Sequence, residues 1–223
     1  MTTERQAGWM DVLKYGIGLG LILWAIDCAA QPLTLHDPAF LGNVVGAAAA
    51  ASCTTVNVAY ESDSSRTQFA NQPGTTWVAS LINASSLTNS FSCCKAEFLF
   101  DLGGSPSMTL TALIWANDDK GTPADLTDDT PSGAPLYTST STLDASAITA
   151  KAWYSFDFGS VALTVGTHYW IGINSSAFDG SNYCWWQRGS TGAALQIRKS
   201  TDGSTWTVVS QTRQSDARLY SSP

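Results

Sequence analysis

The stretch AWYSFDFGSVALTVGTHYWIGI, residues 152–173, decides the fold. Tyr154, Phe156 and Phe158 alternate with Ser155 and Asp157. Val161, Leu163 and Val165 alternate with Ala162 and Thr164, and Tyr169, Ile171 and Ile173 alternate with Trp170 and Gly172. A period of two is what a strand with one buried face requires, and aromatic and β-branched residues suit a packed, pleated surface. The pattern predicts a strand, a turn between Phe158 and Val161, a second strand, a tight turn at Gly166-Thr167 and a third strand.

The same period runs outward from this stretch in both directions. Toward the N-terminus it recurs in Val56, Val58 and Tyr60, in Thr76 to Ile82, in Cys94, Ala96, Phe98 and Phe100, and in Met108, Leu110, Ala112 and Ile114. Lys95, Glu97 and Leu99 fall on the opposite face of the third of these runs. A long acidic loop, Asn117 to Pro135, precedes a short edge-like strand at Leu136 to Ser141. Toward the C-terminus, Tyr183 to Gln187 and Leu195 to Lys199 read as strands. Asp202-Gly203 then signals a hairpin before Trp206, Val208 and Ser210, because that turn needs positive φ. Leu219 and Tyr220 close the sheet. Short strands with no amphipathic helix after residue 53 imply an all-β fold, an antiparallel two-sheet sandwich of jelly-roll type. The β-sandwich domain is expected over residues 53–223.

Residues 1–52 have a different texture. YGIGLGLILWAI, residues 15–26, is a continuous apolar run, shorter than the roughly 20 residues of a spanning helix. It reads either as the core of a cleaved secretory signal or as a retained apolar arm, and the arm is the favoured reading. Pro32, Pro38, Gly42, Gly46 and the run Ala47 to Ala51 form a linker.

Charged residues make up 13% of the chain, against roughly 25% in typical domains. With a net charge of -7, there is no basic footprint for nucleic acid. A surface of Ser, Thr, Asn, Gln and Gly fits a virion, extracellular or cell-surface protein. The five cysteines, Cys28, Cys53, Cys93, Cys94 and Cys184, contain no C-x-x-C pair. Adjacent Cys93 and Cys94 on one strand face opposite sides, so each needs a different partner.

Candidate chemistry is sparse. His36 and His168 are the two histidines, and no nucleophile elbow, zinc-binding helix or phosphate loop is present. His168, at a strand start, reads as structural. An Asp pair of glycosidase type is the residual enzymatic reading. Asp118, Asp119, Asp125, Asp128 and Asp129 crowd one loop. Calcium takes oxygen ligands of this kind, but the spacing matches no EF-hand, and a solvated acidic loop is favoured. Trp185 and Trp186 are neighbours on one strand and face opposite ways. Tyr183 with Trp185 is the larger pair and is expected inside. Trp186, beside Arg188, is expected outside as a ligand or partner residue.

Residues from about 91 to 220 resemble the choice-of-anchor type of bacterial and phage β-sandwich domain. The matching elements are Leu110 to Trp115, Pro131-Ser132-Gly133-Ala134-Pro135-Leu136, Trp153-Tyr154-Ser155-Phe156, Leu163 to Ile171, and Asp202-Gly203-Ser204-Thr205-Trp206. The resemblance implies kinship with carbohydrate-binding jelly rolls on surface proteins and virion fibres, where a structural calcium is common. The expectation is a non-enzymatic structural, decoration or fibre protein of a virion or surface assembly. Its N-terminal arm would contact copies of itself or other structural subunits. A membrane enters only if residues 15–26 act as an anchor. The alternative is a secreted or surface glycan-binding module.

Overall fold

The computed structural model describes residues 52–61, 65–68, 76–176, 181, 183–189 and 196–223. The apolar run 15–26 and the linker that follows it lie outside the described residues. Among the described residues, thirteen strands make two antiparallel sheets packed face to face. The first sheet is built on β4 (Phe91–Leu102), which pairs along one side with β8 (Ala152–Leu163). Along its other side it pairs with β13 (Ala217–Ser221) and then β10 (Cys184–Arg188). The flanks are β1 (Thr55–Tyr60) on β13 and β2 (Ser65–Gln68) on β10. The second sheet has β9 (Tyr169–Ser175) between β3 (Trp77–Ile82) and β5 (Thr109–Asp118). Next to β3 come β11 (Ile197–Ser200) and β12 (Thr207–Ser210). β6 (Thr130–Pro131) and β7 (Tyr137–Asp144) both pair with β5. The all-β, two-sheet sandwich expected from the sequence is the fold observed.

Alternation fixes what meets between the sheets. Ala96, Phe98, Phe100, Phe156 and Leu219 of the first sheet pack with Val78, Leu110, Ile114, Ile171 and Ile173 of the second in one buried cluster. Phe98 stands edge-on to Phe156, with centroids 5.4 Å apart, an arrangement that aromatic quadrupoles favour.

One expected turn is absent. Residues 152–163 form a single strand, bulged against β4: Lys95 pairs with Asp157 but Cys93 pairs with Val161. Three residues therefore oppose Cys94, and Gly159 sits at φ 73°. The bulge switches the inward parity from Phe156 and Phe158 to Val161 and Leu163, which in the sequence looks like a break between two strands.

Both neighbouring cysteines are accommodated. Cys93 points into the core as a free thiol, and Cys94 is bonded to Cys53 on the outer side of β4. Among the described residues no helix is long and apolar enough to cross a membrane.

Candidate functional site

The second sheet has large side chains on its outer face as well. Trp115 of β5 and Trp170 of β9 point away from the main core, and with Ala79, Leu81 and Leu113 they form a second, smaller buried cluster. Two segments cover it: Trp206 at the β11–β12 hairpin, and Leu126 from the acidic loop. Trp115 meets Trp206 edge-on at 5.5 Å and Trp77 at 6.2 Å. The acidic loop is exposed from Lys120 to Asp125, as a solvated loop is expected to be, and lays Leu126 on this sheet face.

Four of its five carboxylates are engaged in local turns. Asp118 accepts the Lys120 backbone N–H (3.0 Å) and its ammonium (2.5 Å), which hold its carboxyl below the usual range. Asp119 accepts the Gly121 N–H at 2.9 Å. Asp125 accepts the Thr127 hydroxyl and N–H, at 2.6 and 2.9 Å, and is held low by them. Asp128 accepts the Thr122 hydroxyl at 2.9 Å. Among the described residues these carboxylates are not gathered into a group of three or more that would hold a metal ion.

Asp129 differs from the other four in being fully buried. Its Oδ2 accepts the Asn117 amide at 2.5 Å, and Asn117 Oδ1 accepts the Trp170 indole N–H at 2.7 Å. Its Oδ1 has no donor among the described residues. A buried acceptor without a partner costs on the order of 1–3 kcal/mol. Burial pushes the Asp129 carboxyl up; the Asn117 bond and His168 oppose this, while Asp128 and Asp119 add to it.

Asp129 forms part of the wall of a cavity of about 290 Å3 between the acidic loop and the turn before β9. Asn117, Asp119 and Leu126 line the loop side, and Thr167 and His168 the turn side. His168 Nδ1 accepts the Ala84 backbone N–H at 3.1 Å, so the neutral ring carries its proton on Nε2. His168 therefore has the structural role expected from the sequence and also faces the cavity. Arg198, buried nearby, donates to the Thr127 carbonyl at 2.7 Å and lies within electrostatic range of Asp129 and Asp128.

The outer face of the first sheet is a network of a different kind. Glu97 accepts Lys95 (2.9 Å), Ser155 (3.2 Å) and the Tyr220 hydroxyl, with Arg218 at 3.6 Å. Burial works to raise its carboxyl, but the bonds from Tyr220 and Lys95 outweigh it and hold it low. Lys95 lies 3.8 Å over the Tyr220 ring and Arg218 lies 3.9 Å over Trp153.

Trp186 is not a surface residue. It is fully buried, edge-on to Phe98 at 5.1 Å, and its indole donates to the Asp216 carbonyl at 2.8 Å. Its cross-strand partner is Phe100, an inward residue of the central strand, and that register fixes its face. Trp185 takes the outer side, edge-on to half-buried Tyr183. Arg188, at the end of β10, is half-buried and bridges to Ser215. Neither Trp186 nor Arg188 reaches the cavity.

Sequence reasoning missed Asn117 and Thr167, and the burial of Asp129. A signal for them existed. Trp115 and Trp170 point outward on adjacent strands, so something has to cover them, and the loop that follows β5 is the nearest segment. The fold and its covered faces define an antiparallel two-sheet sandwich with a second core under a loop. The chain matches no protein-family model and no curated protein sequence.

Proposed function

We propose that the chain is a non-enzymatic structural protein, a decoration or fibre-type subunit displayed on a virion or comparable surface assembly. In this reading the segment before residue 53 attaches it and the sandwich faces outward. The observation that carries the reading is the link between Cys53 and Cys94. Cys53 lies where the chain enters the sandwich, and Cys94 lies on β4, the strand that both halves of the first sheet are built on. A pull arriving from the N-terminal side passes through this covalent bond to β4 before it strains the β1–β13 ladder. That arrangement suits a module tethered by its N-terminal segment. A disulfide also persists best in oxidising surroundings such as a virion or cell surface. The low charge and the resemblance to surface and virion sandwiches point the same way.

The test compares the full chain with a variant lacking residues 1–50, by sedimentation and thermal unfolding. The expected result is an assembling full chain and a truncated domain that unfolds cooperatively as a monomer. A truncated chain that fails to fold, or that assembles as well as the full chain, overturns the reading.

A further inference from the structure

We propose that residues 126–129 are a pH-dependent latch, which holds the acidic loop on the outer face of the second sheet while the Asp129 carboxyl carries a proton and releases it when that carboxyl ionises. The latch does not depend on the structural role proposed above. Its first ground is how the segment is fastened. Leu126 packs on the outer cluster of Trp115 and Trp170. The Thr127 carbonyl accepts Arg198 of β11 at 2.7 Å and the Gln211 amide at 3.0 Å. Asp129 is fully buried, and its Oδ2 accepts the amide of Asn117, which is itself tied to the Trp170 indole. Three nearly successive residues thus hold the loop to the sheet, and one of them can titrate.

The second ground is what surrounds the carboxyl. Its Oδ1 has no donor among the described residues, so Asn117 is its one hydrogen bond. A buried anion needs a counter-ion or several donors. Asp128 and Asp119, from the loop itself, oppose a charge on Asp129, and His168, from the turn before β9, works the other way. Arg198 is occupied elsewhere: its Nη2 donates to the Thr127 carbonyl and to Gln196 Oε1 at 2.8 Å, and its Nε has no partner among the described residues. A neutral carboxyl keeps the Asn117 bond and brings no charge into the interior. The anion finds its missing donors in water, and reaching water carries Thr127 and Leu126 outward with it. The sign follows from burial, which pushes the carboxyl up. The latch is at full strength below about 3.9, the value with the loop open, and weakens as pH rises through the closed-loop value. Its release uncovers the Trp115 and Trp170 face, a local opening of the kind that leaves the rest of a domain folded.

The Trp115 and Trp206 indole N–H groups report the opening, because both are buried and have no acceptor among the described residues. The experiment follows their hydrogen exchange by NMR on the full chain from pH 4 to 8, with each rate divided by that of free indole at the same pH. The corrected rate is expected to rise with pH, about tenfold for each unit by which the closed loop lifts the carboxyl. It is expected to level off where the Asp129 carboxyl 13C shift titrates, while the β9 backbone amides hold steady. In Asp129→Asn, which cannot ionise, the corrected rate is expected to stay constant. A corrected rate that is constant in the wild type, a rise that persists in Asp129→Asn, or a rise matched by the β9 amides overturns the proposal. If Asp129→Asn fails to fold, the wild type decides: levelling at the pH of the Asp129 titration supports the latch, and levelling elsewhere overturns it.

Discussion

Trp186 is held in the core from two sides, edge-on to Phe98 at 5.1 Å and with its indole N–H on the Asp216 carbonyl. In the sequence it stands beside Arg188, and the Tyr183–Trp185 pair looks like the better core. The structure decides the face through Phe100 across the ladder, and Cys184 and Trp186, both fully buried, share the inner side. Face assignment on a short strand needs the partner's register, which a sequence does not display. Truncation of a buried Trp costs about 3–5 kcal/mol, so Trp186→Ala is expected to lower unfolding free energy by that amount in urea titration. Trp185→Ala is expected to cost much less; equal losses would mean that the faces are wrongly assigned. Among the described residues, Cys93 and Cys184 are free thiols and lend themselves to a second residue-level measurement. Burial pushes both Cys93 and Cys184 up to about 12. The thiolate is the reactive form, so alkylation of the native protein at neutral pH is expected to leave both unmodified and to label both after denaturation. Peptide mapping reads the difference.

Whole elements were easier to read than faces. β4, β5 and β9 lie where the period of two puts them, because each has long apolar alternation. In the sequence β8 has the pattern of two strands, because a bulge inverts parity as a turn does. Gly159 sits at the bulge with positive φ, and a Cβ there would meet nothing within 4 Å. Gly159→Ala thus adds backbone strain without a clash, about 1–2 kcal/mol, seen as a lowered urea midpoint with unchanged slope. Gly172 on β9 is the contrary case. A Cβ there would lie 2.2 Å from the Val78 carbonyl oxygen and 3.0 Å from the Trp115 ring, so Gly172→Ala forces the β3–β9 pair apart. The β11–β12 hairpin contributes a pH dependence. The Thr205 and Ser204 N–H groups (2.7 and 2.8 Å), with the Ser200 hydroxyl, hold Asp202 far below the usual carboxylate range. A depressed folded pKa gives stability that is present above the unfolded value of about 3.9 and is lost as pH falls through the folded value. Asp129, pushed up, has the opposite sign, with its contribution full below about 3.9 and lost as pH rises through its folded value. The Ser204 and Thr205 amide resonances are expected to move in acid in the wild type and to stay fixed in Asp202→Ala.

At the scale of the molecule, the sequence showed a sandwich but not that one sheet is covered on both faces. The covering depends on Leu126 and Trp206, distant in sequence from each other, meeting on Trp115 and Trp170. No periodic pattern encodes such a meeting. The Cys53–Cys94 link was likewise one pairing among several that five cysteines allow. Its consequence for the whole domain is calculable. It closes a loop with a sequence separation of 41, and loop-closure entropy gives about 4 kcal/mol for that length, with real disulfides commonly at 2–4 kcal/mol. Cys53→Ser is therefore expected to lower the unfolding free energy by about 2–4 kcal/mol. The loss should not be spread evenly. β1 touches the rest of the first sheet through β13, and Val56 is half exposed, so without the link β1 is the strand least held. Amide exchange is expected to quicken first in β1 and its β13 partners, with β3 and β9 changed only by the global loss. Uniform quickening across both sheets would show that the link stabilises the domain as a whole without fastening its N-terminal side to β4, and the tethering argument would fail with it.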